Sequence, residues 1–401
     1  MKNKSNKIYV ISRIYKPLYI AIKKKKWIHT GSPAYYNFIK YLNTDLRFNS
    51  EIIFLLDSNS VNLVDSNIIN IKGIDNPIRI INYKNFYKGN LKFFKKMELV
   101  FNKIFQFFQI FFYVKKKSIY YIDRDNIALG NLLKYKKGLV VYRLLGITEK
   151  IYKILFLRKG FINLIFMAAI KIKNSMIIST NDGSWNYEVK RRLKSENFYT
   201  LFNGHDKVLI KSKKEYNKKF IISYVSRLEQ GKGHNDFLFF IKSLILNNIN
   251  NIKIFIVGGG ALYQELIKLS KKLNIDNIVN FTGEIEHKKV STYLNNSDLF
   301  ITFNYFGVFG NNLIEATANG LPIITLDNFK IPQEFKKNFI LLNQNDLKSG
   351  VKLVKKLIDD EKFKKKYSKL SQDFYKKNIS TWLKRIEFEL NLIKKEYEKY
   401  E

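Results

Sequence analysis

What most constrains this chain is a rhythm. Short runs of β-branched and aromatic residues recur along it, and amphipathic helical stretches fill the intervals. Strand-like segments at 7–12, 51–56, 67–71, 118–122, 138–144, 175–179 and 198–201 are short, apolar and bounded by turn residues. The pattern continues at 220–225, 252–257, 278–281, 299–303, 322–326 and 339–342, with helical stretches such as 234–246, 262–273 and 312–319 between them. Strands that alternate with helices need crossover connections, so the expected class is α/β with parallel sheets. A length of 401 residues is too much for one ordinary core and suits two. The polar, lysine-rich stretch 203–219 is the natural boundary. The expected division is a first lobe at 1–205, a second at 206–380, and a charged terminal helix at 381–401 free to cross back to the first.

Charge narrows the partners. The chain carries 71 Lys+Arg against 34 Asp+Glu, a formal +37. That excess attracts polyanions, whether it arose by selection or from a composition rich in Lys, Asn and Ile throughout. A nucleic-acid binder would need an RNP-type aromatic motif, a helix-turn-helix or a zinc module. The sequence shows none, so no nucleic acid is expected. Cysteine is absent, which excludes disulfides and thiolate metal sites and permits a reducing compartment.

Two segments depart from the rhythm. Residues 91–117 carry Phe93, Phe94, Phe101, Phe105, Phe107, Phe108, Phe111 and Phe112 with lysines at both ends, and residues 151–173 are similar. They suit the bilayer interface or, alternatively, simple packing on the first lobe's sheet. Lys95, Lys96, Lys103, Arg158 and Lys159 interrupt the apolar runs, which a spanning helix would not tolerate. No secretory leader is evident either. The expectation is a cytoplasmic protein, peripheral on the inner face of the plasma membrane, with an anionic lipid surface as partner.

Three elements of the second half carry chemistry. In IISYVSRLEQGKG a strand leads to Arg227, and a glycine-flanked loop presents Lys232. Two cations there make a diphosphate clamp, or else an ordinary basic loop. In IFIVGGG a strand runs into Gly258, Gly259 and Gly260, which would let a ligand approach the backbone, or simply make a tight turn. It is not a G-x-G-x-x-G sequence, so a nicotinamide cofactor is not indicated. In ITFNYFGVFGNNLIEATANGLP a strand enters a loop with Gly307 and Gly310. A helix then starts at Asn311, Asn312 and Leu313, whose amides suit a phosphate. Glu315 can accept hydrogen bonds from ribose hydroxyls, or serve the helix's first turns. The four histidines are scattered and no carboxylate cluster has ligand spacing, so no metal and no cofactor are expected. In the first half, Asp123 and Asp125 in YYIDRDN lie after a strand, as an acceptor-side base or as a loop cap.

In this order the elements resemble the donor lobe of the retaining GT-B glycosyltransferase family 4, also called glycosyl transferases group 1. The matching stretches are VSRLEQGKGH, FIVGGG, FNYFGVFGNNLIEATANGLPII, the turn Asn203-Gly204-His205-Asp206 and Phe281-Thr282-Gly283. The resemblance implies two Rossmann-like doubly wound lobes facing a central cleft. It implies that Arg227 and Lys232 bind the diphosphate of a UDP- or GDP-sugar and catalyse its departure. Glu315 would hold the ribose, and the backbone around Gly283, Glu284 and Ile285 would read the base. Gly31-Ser32 falls in the place of the family's paired-glycine loop, with Ser32 a departure. Counting back along the family's E-x7-E spacing from Glu315 reaches Gly307, where the carboxylate near the donor sugar is missing. The family's first-lobe histidine also has no counterpart in VVYRLLG, where Arg143 stands on the acceptor side.

The implied activity is metal-independent transfer of a hexose-type sugar, with retention, to a saccharide or lipid-linked acceptor in surface polysaccharide synthesis (lipopolysaccharide or capsule). A catalytically degenerate GT-B binding or scaffold protein is the alternative that Gly307 raises.

Overall fold

A computed structural model describes residues 6–27, 33–58, 60, 63, 66–85, 87, 89, 91–157, 160–207, 219–328 and 333–400. The chain forms two compact units. One comprises Met1–Thr180, Glu188–Asn203 and Trp382–Glu401; the other comprises Asn181–Tyr187 and Gly204–Thr381.

The first unit is built on eight strands: β1 (Asn6–Arg13), β2 (Phe48–Leu55), β3 (Ile68–Ile71), β4 (Ile74–Ile81), β5 (Ile119–Asp123), β6 (Leu139–Leu145), β7 (Ser175–Thr180) and β8 (Phe198–Leu201). They lie in the order β3-β4-β2-β1-β5-β6-β7-β8. Every neighbouring pair is parallel except β3 with β4. Helices cover such a sheet on both faces, so its central strands β5, β6 and β7 are buried along nearly their whole length rather than alternating. The sequence pattern gives no strand at β4, which contains Pro77, a residue unusual in a paired strand. The register explains the exception: β2 pairs from Ile78 onward, and the β3–β4 ladder shifts between Ile69 and Ile71, so Pro77 falls in an irregular stretch.

The terminal helix Trp382–Glu398 belongs to this unit, and it places Trp382, Ile386, Leu390, Ile393 and Tyr397 in the core. Its Glu389 sits at the centre of a buried polar cluster. Arg385 Nη1 donates to it over 2.6 Å and the Tyr121 hydroxyl over 2.7 Å, while Arg143 Nε lies 3.7 Å away. Burial pushes the Glu389 carboxyl up, but the guanidiniums of Arg385 and Arg143 outweigh it and hold the group below the usual carboxylate range.

Residues 92–113 form a single helix, Lys92–Tyr113, that is inside out. Its inward face carries Asn102 and Gln106, one turn apart. Asn102 exchanges hydrogen bonds with the backbone of Lys84, and Gln106 donates to the carbonyls of Leu56 and Asn82. The helix is thus held to the sheet edge by buried amides as well as by Phe107 and Ile110. Its outward face is apolar: Phe93, Val100, Phe101, Ile104, Phe105, Phe108 and Phe112 are all exposed, and Phe112 is 77% so. Residues 151–173 resolve into the helices Glu149–Phe156 and Phe161–Ile170, with Phe161, Ile162 and Leu164 exposed. Arg158 and Lys159 lie outside the described residues. No helix among the described residues is long and apolar enough to cross a membrane.

The second unit has six parallel strands: β9 (Phe220–Val225), β10 (Ile252–Val257), β11 (Val279–Phe281), β12 (Leu299–Thr302), β13 (Ile323–Leu326) and β14 (Ile340–Leu342). Their order is β11-β10-β9-β12-β13-β14. From β9 the chain winds one way to β10 and β11, and from β12 it winds the other way. The reversal opens a crevice at the carboxyl ends of β9 and β12, the position where open α/β sheets bind ligands.

Candidate active site

The loop after β9 is fixed by close backbone approaches that glycine permits. Leu228 donates its amide to the Gly259 carbonyl over 2.9 Å, and Ser226 donates to Val257 over 3.0 Å. At Gly258, with φ +132°, a Cβ would stand 2.1 Å from the Ser226 carbonyl oxygen. At Gly260 a Cβ would stand 2.4 Å from that of Leu228, and at Gly259 it would lie 3.0 Å from the Glu284 amide. The approach these glycines allow is therefore by the chain's own backbone. These contacts are those of a tight turn, one of the two readings the sequence left open for Gly258–Gly260. Gly258 also bridges Gly283, which brings Gly283, Glu284 and Ile285 to the same rim.

Within this frame Arg227 is largely exposed, 77%, and ion-paired to Glu229 at 3.0 Å. Lys232 is partly buried, with its ammonium 5.2 Å from the centre of the Phe306 ring. Burial lowers the Lys232 pKa, and the neighbouring Arg227 charge lowers it further, so the two cations lie within electrostatic reach of each other. The buried Tyr224 hydroxyl donates to the Lys232 carbonyl and accepts from the Phe303 amide over 3.0 Å, which ties the loop to the end of β12. Phe306 is 63% exposed and lies over Gly231 so closely that a Cβ there would be 2.5 Å from its ring. Nothing in the spacing marks Phe306; only the packing shows it beside Lys232.

The helix Asn311–Ala318 starts at the same place. Asn312 donates its side-chain amide to the Val225 carbonyl over 2.8 Å, and its Oδ1 accepts from the Leu313 amide over 3.0 Å. The helix start is thereby held against the end of β9, beside the loop bearing Arg227 and Lys232. A helix N-terminus concentrates unpaired N–H groups and a positive partial charge, which is an anion site. Gly310 precedes it, and Gly307 occupies the loop with φ +61° and no side chain to offer.

Glu315, one turn in, is 7% exposed. Its Oε1 is 2.8 Å from His287 Nε2. That hydrogen bond, against some burial, raises the His287 pKa above the usual histidine value. His205 is buried with its Nδ1 3.1 Å from the Tyr375 hydroxyl. Burial lowers its pKa, and Glu315 partly opposes the shift. The sequence reading took the histidines as scattered; β11 and the turn after it bring His287 to a glutamate 28 residues further on.

The first-unit candidates are placed differently. Asp123 is fully buried and accepts from Ser12 Oγ, the Arg13 amide, the Tyr15 hydroxyl, the Asp125 amide and Asn126 Nδ2. It caps the turn after β5, the second of the two readings its sequence left open. Burial and then the Asp125 charge raise its pKa. Asp125 pairs with Arg13 at 2.7 Å. Arg143 is 1% exposed and donates to the Ile178 carbonyl and Thr180 Oγ1 besides facing Glu389. Its placement on the acceptor side is corrected: a guanidinium walled into the core has no face for a substrate. Gly31 and Ser32 lie outside the described residues. Among the described residues no three His, Asp or Glu side chains gather as a metal ion would need.

Two doubly wound units of this topology define the GT-B fold of glycosyltransferases. The chain matches Anabaena HepE, solved in complex with UDP and glucose, with a TM-score of 0.64 over 96% of this chain and 99% of that one, at 15% identity. Residues 206–376, most of the second unit, match the family described as Glycosyl transferases group 1. It is 32% identical to the 2-deoxystreptamine N-acetyl-D-glucosaminyltransferase of Niallia circulans, over 29% of this chain and 30% of that one. It is 29% identical, over 37% and 40%, to the N-acetylgalactosamine-N,N'-diacetylbacillosaminyl-diphospho-undecaprenol 4-alpha-N-acetylgalactosaminyltransferase of Campylobacter jejuni. The matched stretches thus span less than half of these relatives' own lengths.

Proposed function

We propose that this chain transfers a sugar from a UDP- or GDP-sugar to a saccharide or lipid-linked saccharide acceptor in surface polysaccharide synthesis. The observation that carries the reading is the Asn312–Val225 hydrogen bond, which sets a helix N-terminus beside Arg227 and Lys232 at the strand-order reversal. Cleavage of the bond between the anomeric carbon and the diphosphate leaves negative charge on the departing oxygen. Arg227, Lys232 and the helix amides would stabilise that charge as it develops, without a metal. Loop 303–310 contains no carboxylate that could form a covalent sugar intermediate. The family this chain resembles retains configuration, so without such a carboxylate the acceptor hydroxyl would attack on the face the diphosphate leaves, its proton passing to the departing oxygen. The diphospho-undecaprenol in the Campylobacter relative's name supports a lipid-linked acceptor.

The test is a thermal-shift panel of nucleotide sugars on the wild type, Arg227→Ala and Lys232→Ala. One UDP- or GDP-sugar should raise the wild-type melting temperature, and both variants should lose the shift. No shift with any nucleotide sugar overturns the reading.

The inside-out helix Lys92–Tyr113 seats the protein on an anionic bilayer at the cytoplasmic face of the plasma membrane. Its outward phenylalanines would enter the interface while Lys92, Lys95, Lys96 and Lys115–Lys117 meet the headgroups. Flotation should depend on phosphatidylglycerol content and fall with Phe101→Glu and Phe105→Glu; binding indifferent to lipid charge would count against it. Gly307 favours one second reading, a donor-binding scaffold without catalysis. Donor binding with neither transfer nor donor hydrolysis would establish it.

A further inference from the structure

We propose that His287 is a positioning residue. By donating from Nε2 to Glu315 Oε1 it fixes the carboxylate so that Oε2 alone meets a ribose hydroxyl of the donor. The proposal rests on the reading that the crevice binds a nucleoside diphosphate.

Glu315 is nearly buried, and a buried carboxylate without a partner is costly. His287 Nε2 supplies the partner at 2.8 Å while its own side chain stays 59% exposed, so little of the imidazole is spent on packing. Among the described residues no donor reaches Oε2. His287 opens the helix His287–Asn295, four residues beyond Gly283, whose bridge to Gly258 fixes the rim. Glu315 sits three residues beyond Asn312, whose amide is bonded to the end of β9. The His287–Glu315 bond thus ties together two neighbouring helices that border the crevice. A carboxylate held at Oε1 presents Oε2 in a set direction rather than swinging. That is a discrimination device, because a nucleotide lacking the matched hydroxyl leaves Oε2 unpaired.

The test is calorimetric titration with UDP and GDP and with their 2'-deoxy and 3'-deoxy forms, on the wild type, His287→Ala and His287→Gln. The wild type should prefer the ribonucleotide over one deoxy form by about tenfold or more. His287→Ala should weaken the ribonucleotide by about tenfold and leave that deoxy form nearly unchanged, collapsing the ratio. His287→Gln, whose amide can still donate to Oε1, should restore most of it; a merely structural role would lower all ligands together. An unchanged ratio in His287→Ala, with binding intact, overturns the proposal alone. A wild type that binds none of these nucleotides overturns both the proposal and the transferase reading beneath it.

Discussion

Asn312 and Val225 are joined by a 2.8 Å hydrogen bond from side-chain amide to backbone carbonyl, which pins a helix start to the end of the central strand β9. Asn312→Ala removes the donor and leaves that carbonyl unpaired, at a stability cost of about 1–2 kcal/mol. The larger expected effect is on the donor: the helix amides lose their fixed aim, and kcat/KM for the nucleotide sugar falls by about tenfold or more. Steady-state kinetics beside a denaturation curve separates the two effects.

Gly258 and Gly310 are both glycines of the site, yet substitution should treat them differently. Gly258→Ala forces a side chain to φ +132° and places its Cβ 2.1 Å from the Ser226 backbone oxygen, which cannot step aside. The expected loss is about 2–4 kcal/mol, read as a lower urea midpoint. Gly310 has φ −78°, and its added Cβ meets only the Asn312 Oδ1 at 2.7 Å, the end of a rotatable side chain. Gly310→Ala should therefore cost about 1 kcal/mol or less while disturbing donor binding through Asn312.

Glu389→Ala leaves Arg143 and Arg385 as two uncompensated charges in the first core. The expected destabilisation is about 3–5 kcal/mol, seen as an early unfolding transition of the first unit. The pH dependence follows from the lowered pKa of the carboxyl. The stabilisation is fully present above the ordinary carboxylate value of 4.5 and disappears as pH falls through the lower folded value.

His234 is 2% exposed, and neither ring nitrogen has a well-aligned hydrogen-bond partner among the described residues. Burial, helped by the Lys232 charge and opposed weakly by the Glu229 carbonyl, pushes its pKa down to about 4. Between 6.5 and about 4 the unfolded chain binds a proton that the folded one refuses, so stability falls as pH falls through that window. Unfolding free energies from urea titrations at pH 7 and pH 5 should differ by about 2 kcal/mol from this group, and His234→Phe should remove the difference. His287 acts with the opposite sign. Its pKa is raised, so its pairing with Glu315 is complete below the ordinary 6.5 and fades as pH rises through the folded value. His234→Phe and His287→Ala therefore separate the contributions.

Much of the architecture was legible from local pattern. Strand runs such as 220–225 and 252–257 and the helix 234–246 lie in the structure where the sequence placed them, because buried parallel strands are continuously apolar and the helices between them repeat with a helical period. Glycine turns were legible too, since glycine takes positive φ without a Cβ clash, but not what approached them: Gly258 faces Ser226, 32 residues away in the chain.

The sequence by itself determined the α/β class and the order in which cations, glycines and a helix start occur along the second half. Tertiary structure alone decided which side chains those elements would share. Asp123 reads as a cleft residue because it is polar and ends a strand, and Arg143 because of the resemblance, yet packing makes Arg143 a core ion-pair partner and Asp123 a turn cap. His287 read as incidental, yet winding from β11 through the following helix sets it 2.8 Å from Glu315. The physical reason is range. Hydrophobic period and turn chemistry act over a few residues and are written locally, whereas a hydrogen bond between distant residues exists only once the sheet order has folded the chain back on itself.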